Sequence, residues 1–350
     1  MRPPTAFILM TALVIVTGSA IAAAPAIAAA PAMADATNGA GQSSGHQTCK
    51  PLASLGHRKV KLSGRTADVN TFAADVPGMT VGTVDIPAGW TPLTGTDADL
   101  AALGFPARPT DPTQLAQWKA TYANFKGSDP TTSRGLCKSD RRHGQIGTKP
   151  SSNYVGLEDT NATYKGAYGS FNLPSPGVLV CPHASAASFW VGTTDNTTID
   201  QGGIDLDPSN ATGYQLWAEL YPLNTYYYNN GNDMPWSSGQ AVQISETYAT
   251  DSGGHFTIQA YNKNTGIVYS LTYTGAASYY RSQNAEFVTE KLAGYYERKF
   301  GTVNWSGAYA VYSSGTAVYP GTPNYYRYTA PFATQGTPSG AGFSMTWNAC

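Results

Sequence analysis

The chain has 350 residues, of which 12% are charged, and its formal net charge at pH 7 is −1. So balanced a charge gives no basic surface of the kind that attracts nucleic acid or an anionic membrane, and we expect neither as a partner. The charged fraction is about half that of an average soluble domain, so the polar surface must consist of Ser, Thr, Asn, Gln and Tyr. This composition is typical of extracellular all-β proteins, and the length allows one large domain with a smaller one.

Residues 1–36 predict a secretory signal peptide. Arg2 precedes the apolar run Phe7–Val16, and Ala34-Asp-Ala36 offers an A-x-A cleavage site, with Ala22-Ala-Ala24 as an earlier alternative. The apolar run is too short to span a bilayer. We therefore expect a secreted protein with no membrane attachment once the signal is cleaved.

The four cysteines predict two disulfides, because disulfides form and persist in an oxidising compartment. Four cysteines allow three pairings. We expect Cys49–Cys137 and Cys181–Cys350, each of which encloses one region of the chain. No C-x-x-C is present and the five histidines are scattered singly, so we expect neither a structural zinc site nor a cofactor.

The region before residue 138 contains the helical signals of the chain. Residues 37–48 are rich in Gly, Ser, Thr and Asn and predict a disordered start of the mature protein. Two helices are predicted, over Thr96–Leu103 and Asp111–Phe125, the second with Pro112 at its first position. Its aromatic residues recur at helical spacing and indicate packing. We interpret residues 37–137 as an N-terminal region or a pro-segment.

Residues 138–151 are charged and lack apolar periodicity, so they predict a linker. The dibasic pair Arg141-Arg142 within them is open to two interpretations. It is either a processing site that removes a pro-segment or part of an ordinary solvated linker.

From residue 152 to residue 350 the pattern is that of short strands separated by turns, which predicts an all-β domain, an antiparallel β-sandwich. The turns include the Asp251–Gly254 and Asn262–Gly266 segments. The predicted strands are Tyr168–Leu173, Ser188–Gly192, Gly213–Tyr221, Ala241–Tyr248, His255–Tyr261, Gly266–Tyr273 and Ala285–Glu290.

Two of these strands carry polar side chains on one face. With a period of two, Gln215–Tyr221 places Gln, Trp, Glu and Tyr on one side and Leu and Ala on the other. Glu286 and Glu290 likewise share one face of their strand. Unpaired carboxylates are costly to bury, so such a face is either solvated or a site. A groove lined in this way suits an extended polymer, either a peptide or a glycan.

Five blocks between about residues 150 and 310 resemble the eqolisin, or glutamic peptidase, family in their order and spacing. The resemblance implies a secreted enzyme, active at acid pH, with a concanavalin-like β-sandwich of the jelly-roll type. The blocks are Ser188–Gly192, Ile199–Asp205, Trp217–Pro222, Asn284–Glu290 and Phe300–Val303.

The resemblance also implies the site. The family's catalytic pair is a Gln in a Q-[ST]-G-[IV]-D motif and a Glu in an A-E-[WF] motif, which correspond here to Gln201 and Glu286. Gly202 stands where the first motif has Ser or Thr, and Phe287 replaces the commoner Trp of the second. By the same matching, the expected substrate-binding residues are Trp190, Asp205, Trp217, Glu219 and Glu290.

A Glu and a Gln can cleave a peptide bond without a metal or a covalent intermediate. Glu286 would act as general base on a water molecule and later pass the proton to the leaving amine. The amide of Gln201 would donate a hydrogen bond to the oxyanion, an interaction typically worth about 3–4 kcal/mol. We expect a polypeptide substrate and a monomer, and a fold that loses stability at neutral pH if the supporting carboxylates cluster.

Two other classes remain open. A glycan-binding module or a glycoside hydrolase can use the same sandwich and an aromatic groove. The hydrolase needs two carboxyl groups about 5–9.5 Å apart. Glu286 and Glu290 would lie roughly 13 Å apart along one strand, so a partner from another strand, such as Glu219, would be required. The last alternative is an inactive relative of the family that only binds.

Overall fold

The computed structural model describes residues 49–139, 143, 153–160, 162–175, 185–195, 197–206, 213–250, 254–280, 283–292, 296–297, 299–322 and 325–350. The predicted signal peptide, the predicted disordered start, the dibasic pair and Cys181 lie outside the described residues.

The elements of the first half of the chain come in the following order. They are β1 (Lys50–Pro51), β2 (Ser54–Leu62), β3 (Arg65–Ala73), β4 (Thr80–Asp85), α1 (Asp97–Leu103), α2 (Pro112–Thr121), β5 (Gly127–Ser128), β6 (Leu136–Ser139), β7 (Tyr154–Asp159), β8 (Tyr164–Asn172) and β9 (Ser185–Thr194). The second half is formed by strands and one 3₁₀ turn (Asn229–Gly231). Its strands are β10 (Ile199–Leu206), β11 (Tyr214–Tyr221), β12 (Thr225–Tyr228), β13 (Ala241–Ala249), β14 (His255–Asn262), β15 (Ile267–Thr274), β16 (Asn284–Lys291), β17 (Tyr296–Glu297), β18 (Thr302–Tyr312), β19 (Ala317–Val318), β20 (Tyr325–Tyr328), β21 (Ala333–Gln335) and β22 (Phe343–Trp347).

The strands form two sheets, and the predicted all-β sandwich is confirmed. Within the described residues the first sheet has the order β1-β6-β12-β11-β10-β9-β16-β7-β20, with β17 beside β9. The second has the order β2-β3-β4-β15-β14-β13-β8-β18-β22-β21, with β19 beside β18 and β5 beside β15. The long strands pair antiparallel, and each of the seven predicted strands overlaps an observed one.

Alternation along each strand explains why the two sheets stack. On β10, Ile204 and Leu206 point into the space between the sheets, while Gln201 and Asp205 point to the opposite face. The inner faces of both sheets form one apolar core, to which β14 contributes Ile258 from the facing sheet. Burial of such apolar surface contributes roughly 25 cal/mol per Å² to folding. The polar face of the first sheet is thereby left for the site.

Both predicted helices are present, and their caps explain where they begin. The side chain of Thr96 accepts a hydrogen bond from the backbone N–H of Asp99, whose carboxylate in turn accepts from Thr96, forming a capping box. Asp111 caps α2, which ends at Thr121, four residues earlier than predicted. The aromatic residues beyond this end still pack as expected. No helix among the described residues is long and apolar enough to cross a membrane.

The N-terminal region shares both sheets with the rest of the chain. β4 pairs with β15, and β6 pairs with β12, so each sheet is extended at one side by residues before 140. The predicted linker over 138–151 differs from the structure at its start, because Lys138 and Ser139 belong to β6. It also differs at His143, which is fully buried. Sequence periodicity could not show these contacts, because their partners lie far away in the chain.

The helices cover the outer face of the second sheet, and this face is polar. The amide of Gln259 donates to the carbonyl of Leu103, and the hydroxyl of Thr247 donates to the carbonyl of Gly104. The hydroxyl of Tyr122 donates to Gln243. The apolar side chains of the N-terminal region pack mainly with one another in a separate cluster. The face beneath the helices therefore has the side chains of a solvent-facing sheet.

The predicted disulfide between Cys49 and Cys137 is present. It joins two residues of the N-terminal region and does not tie this region to the residues after 152. Cys350 is also disulfide-bonded. The other predicted pairing, with Cys181, stays a prediction.

A buried carboxyl group lies inside the sandwich core. Glu246 of β13 is fully buried, and burial raises its pKa well above the ordinary value, with the nearby Asp200 adding to the rise. Hydrogen bonds from the backbone of Ala167 and from Thr193 act in the opposite direction. Folding therefore favours the protonated form of Glu246.

This carboxyl makes the stability of the fold depend on pH. A raised pKa in the folded state favours folding below the ordinary value of 4.5, and the contribution is lost as pH rises toward the raised pKa. Glu246→Gln should leave the free energy of unfolding nearly unchanged at pH 4. At pH 7 it should raise that free energy, because the unsubstituted protein then either holds a proton that the unfolded chain releases or buries an ionised carboxylate. Urea unfolding of both proteins at both pH values tests this.

Candidate active site

The two predicted catalytic residues lie opposite the same residue of the strand between them. Gln201 of β10 pairs with Gly192 of β9 on one side, and Glu286 of β16 pairs with Gly192 on the other. Adjacent strands are about 4.8 Å apart, so the two backbones are about 10 Å apart and their side chains project from the same face. A carboxyl and an amide therefore stand on either side of a central position.

That central position is a glycine because the backbone there is crowded. A Cβ atom at Gly192 would lie 2.6 Å from the carbonyl oxygen of Asp200 and 2.9 Å from Cβ of Gln201. Without a side chain at Gly192, the space above β9 lies between the two functional groups.

Glu219 and Glu158 extend this row across the sheet. Glu219 of β11 pairs with Gln201, and Glu158 of β7 pairs with Glu286. Nε2 of Gln201 donates to Oε2 of Glu219 at 3.1 Å, which fixes the amide with its nitrogen toward Glu219. On one side of Gly192 the row therefore contains the amide of Gln201 with Glu219, and on the other side the carboxyl groups of Glu286 and Glu158.

Two tryptophans lie in the next row of the same face. Trp217 and Trp190 pair with Gly203 from opposite sides. The indole N–H of Trp190 donates to Oε2 of Glu290 at 2.9 Å, and that of Trp217 donates to Oγ of Ser188 at 3.1 Å. Each indole is therefore held in one orientation.

The predicted substrate-binding residues all lie on this face, but they do not form one carboxylate cluster. Asp205 and Glu290 pair with Ser188 from either side in the third row, and Glu219 lies in the first row. Asp205 accepts a hydrogen bond from the hydroxyl of Tyr227 at 2.9 Å. The described contacts of these carboxylates are with hydrogen-bond donors.

His143, from the predicted linker, occupies the groove beside Gln201. Its carbonyl oxygen accepts from Nε2 of Gln201 at 2.5 Å, and its backbone N–H donates to Glu219 at 2.8 Å. Its ring stacks on Trp217 with centroids 3.6 Å apart, and Nε2 lies 3.0 Å from both carboxylate oxygens of Asp205. The polar groups in these contacts of His143 belong to the predicted site.

The carboxyl end of the row includes a tyrosine. The hydroxyl of Tyr328 lies 2.9 Å from Oε1 of Glu286 and 2.8 Å from Oε2 of Glu158. Tyr328 reaches this position from β20, which is the edge strand beside β7. Sequence reasoning missed Glu158, Tyr328 and His143. The strand period of β7 could have placed Glu158 on the site face, whereas nothing local indicates the other two.

The two departures from the family motifs lie on the core side of their strands. A Cβ atom at Gly202 would meet Ile258 at 2.4 Å, so the facing sheet leaves no room for a Ser or Thr side chain. Phe287 is fully buried and packs against Trp305. Neither departure changes a side chain on the groove face.

The geometry also bears on the glycosidase interpretation. Glu219 lies three strands from Glu286, about 14 Å away, which is beyond the range for a carboxyl pair. The carboxyl neighbour across the strand pair is Glu158. Among the described residues, no group of three or more His, Cys, Asp or Glu side chains could hold a metal ion.

Comparisons with known proteins complete the description. Two solved structures are similar: scytalido-glutamic peptidase with a peptide-based transition state analog (20% identity, TM-score 0.46) and SCP-B of the eqolisin family with the tripeptide Ala-Ile-His (19% identity, TM-score 0.41). Each match covers 56% of this chain and 98% of the other. No curated protein sequence matches the chain. The model of the peptidase A4 family matches residues 152–344, more than half of the chain. The chain therefore belongs to the peptidase A4 family, the eqolisins, and is a peptidase of the glutamic type.

Proposed function

We propose that the protein is an exported endopeptidase that cleaves polypeptides at acid pH, with Glu286 as general base and Gln201 as oxyanion donor. The observation that carries the proposal is the placement of both residues opposite Gly192. It places a carboxyl and an amide on either side of a position without a side chain. A scissile carbonyl and a water molecule would lie between them once His143 is displaced.

The reaction follows from these two groups. Ionised Glu286 takes a proton from water while the water oxygen bonds to the carbonyl carbon. The side-chain amide of Gln201 donates a hydrogen bond to the oxyanion. Glu286 then returns the proton to the amide nitrogen, and the C–N bond breaks. Because glutamine does not titrate, its donor is present at every pH at which Glu286 is ionised.

The remaining residues of the face would position the substrate. Trp190 and Trp217 offer two flat apolar surfaces beside the catalytic row, and Glu290 fixes one of them through its indole N–H. Asp205 and Glu219 present carboxylate oxygens that His143 engages in this structure. A substrate backbone N–H would meet Glu219 in the same way. These contacts favour an extended peptide as ligand.

We further propose that the N-terminal region is a pro-segment and that His143 blocks the site as long as the chain before it is uncut. Its carbonyl takes the hydrogen bond of Gln201 that the oxyanion requires, and its ring covers Trp217. A substrate and His143 cannot use these groups at the same time. The dibasic pair Arg141-Arg142 directly before it is the proposed processing site, and a cut there makes His143 the first residue of the sandwich chain, no longer tethered to β6.

Two features of the fold support release of this segment. The Cys49–Cys137 disulfide joins two residues of the N-terminal region. If the chain is cut after residue 139, this disulfide does not hold the region to the sandwich. The face of the second sheet beneath α1 and α2 carries Gln, Ser and Thr side chains, which water can satisfy once the helices leave. Release therefore exposes polar groups over this face, while Phe72, Met79, Val81 and Leu136 are withdrawn from the core that they share with the sandwich.

Export and the acid range are further parts of the proposal. The apolar run of the first 36 residues, with its A-x-A site, supports export, and the Cys49–Cys137 disulfide is consistent with it. The raised pKa of Glu246 supports a protein adapted to acid conditions, because its protonated form belongs to the folded state. We propose that the enzyme acts as a monomer.

Gln201→Ala tests the oxyanion role and discriminates the peptidase from a glycosidase, which would not need this amide. We expect kcat for cleavage of unfolded casein to fall about 100- to 1,000-fold, the usual loss for one oxyanion donor. KM should change little, because the hydrogen bond strengthens in the transition state. Gln335→Ala, at an amide of β21 that donates to the Gly336 carbonyl, is the matched control. Full activity of Gln201→Ala would contradict the assignment.

A further inference from the structure

The hydroxyl of Tyr328 lies between two carboxyl groups that belong to neighbouring strands. Its oxygen is 2.8 Å from Oε2 of Glu158 and 2.9 Å from Oε1 of Glu286, and all three residues are buried. On the neighbouring strand β7, Tyr328 pairs with Gly156. A Cβ atom at Gly156 would lie 2.1 Å from the carbonyl oxygen of Phe287, so only a glycine lets the strands approach here.

Counting hydrogens fixes the charge of this group. A tyrosine hydroxyl has one hydrogen and can donate it to one carboxylate. Burial, together with the charge of Glu286 and the hydrogen bond to it, raises the pKa of Tyr328 far above its ordinary value, so the hydroxyl keeps its hydrogen. The second carboxyl can bond to the same oxygen only if it brings a hydrogen of its own. Two short contacts at one hydroxyl oxygen are therefore best satisfied when Glu158 and Glu286 hold one carboxyl proton between them.

We propose that Glu158 and Tyr328 form a proton-sharing unit with Glu286 that sets the pH range of the reaction. This inference rests on the role proposed for Glu286. With Glu158 protonated, its O–H donates to Tyr328, whose O–H donates to ionised Glu286. A concerted shift of the two hydrogens leaves Glu158 ionised and Glu286 protonated, with no change in net charge. Glu158 and Tyr328 are thus positioning residues that act through the general base.

The surroundings add negative charge and hydrogen-bond donors to the unit. Tyr154 of β7 faces it, and burial raises the pKa of Tyr154, with smaller contributions from Glu290, Glu286 and Glu219. From β10 and β9 the facing residues are the neutral Gln201 and Gly192. A second ionisation of the unit would place a further charge among these carboxylates, so one proton should stay bound over a wide range of pH.

The proposal predicts different effects for the two positions. Glu158→Gln removes the shared proton but keeps an N–H that can donate to Tyr328, so the second ionisation disappears and the neutral limb of the pH–rate profile moves to higher pH. Tyr328→Phe removes the donor to Glu286. A hydrogen bond to a carboxylate lowers its pKa, so its loss should move the acid limb to higher pH by about one unit. Tyr325→Phe is the matched control, on the same strand but facing Phe287 in the core.

A titration without substrate tests the unit independently of the reaction. The full chain with ¹³C-labelled Glu carboxyls is followed by NMR from acid to neutral pH. In the unsubstituted protein the Glu158 and Glu286 resonances should both move in two linked steps, separated by about one unit or more. Glu158→Gln and Glu286→Gln should each leave one step. Tyr328→Phe should alter both steps and Tyr325→Phe neither.

Independent single steps, unchanged when the other carboxyl is replaced, would overturn the proposal. So would the loss of the second step in Tyr325→Phe. The role of Glu286 in catalysis is read separately from the activity of Glu286→Gln. An inactive Glu286→Gln with unlinked titrations rejects the proton-sharing unit alone, and an active one rejects the catalytic assignment. Should Glu158→Gln fail to fold, Tyr328→Phe provides the same test.

Discussion

Replacing Glu286 by Gln should lower kcat for cleavage of unfolded casein at acid pH by about a thousandfold or more. General bases contribute roughly 10²–10⁴-fold, and here the same carboxyl also returns the proton to the leaving amine. Glutamine keeps the volume of the side chain and an oxygen that can accept from Tyr328, so the loss measures the missing base. The measurement is kcat and KM on the processed enzyme across acid to neutral pH.

Glu246→Gln is the matched control for this substitution. Glu246 is also a buried Glu on a strand, but it lies in the core, and its raised pKa keeps it protonated in acid, where glutamine resembles it closely. We expect its activity in acid to equal that of the unsubstituted enzyme. If Glu286→Gln retained more than a small fraction of the activity while folded, another group would have to be the base. Glu158 would be the first candidate, because it adjoins Glu286 in the register.

Much of the groove could be predicted from the sequence because it follows from alternation along single strands. A period of two places Gln201 and Asp205 on one face of β10, and Glu286 and Glu290 on one face of β16. The order of the family blocks then identified Gln201 and Glu286 as the residues that correspond to the family's catalytic pair. The register then brought both catalytic candidates to Gly192, which no single-strand pattern contains. The first residues of both helices could also be predicted from the sequence, because the caps Thr96 and Asp111 act on residues next to them in the chain.

The parts that escaped prediction depend on contacts between distant segments. Tyr328 reaches Glu286 because β20 pairs with β7, some 170 residues earlier in the chain. His143 sits in a charged stretch without periodicity, so its burial follows from the shape of the groove and not from its neighbours. The strands before residue 90 were missed in the same way, since β4 is stabilised by pairing with β15.

These missed contacts change how the acid range is understood. The sequence predicts instability at neutral pH only if Asp205, Glu219 and Glu290 cluster and repel one another. In the structure each of them meets hydrogen-bond donors. The protonated carboxyls that the folded state favours lie elsewhere, at Glu246 in the core and in the pair formed by Glu158 and Glu286. Stability and activity should therefore depend on pH through different groups.

The uncleaved chain should be at least about 100-fold less active than the processed enzyme, and His143→Ala should raise the activity of the uncleaved chain. The carbonyl of His143 accepts a hydrogen bond from the amide of Gln201. Its ring stacks on Trp217 and contacts the carboxylate of Asp205. Alanine keeps the carbonyl but loses the stacking and the contact with Asp205, so residue 143 should hold the groove more weakly. The initial rate of casein cleavage before processing, and the lag before full activity, measure the effect.

The same contacts determine how release should depend on pH. Ionised Asp205 and Glu219 accept from the imidazole and the backbone N–H of His143, so acid strong enough to protonate both carboxylates removes these acceptors. The lag of the unsubstituted chain should therefore shorten toward acid pH, whereas His143→Ala should process at higher pH than the parent. His57→Ala, an exposed histidine on β2 in the same region, is the control and should behave as the parent. Equal activity of the uncleaved and processed chains would mean that substrate displaces His143 freely, and the N-terminal region would then be a permanent part of the enzyme.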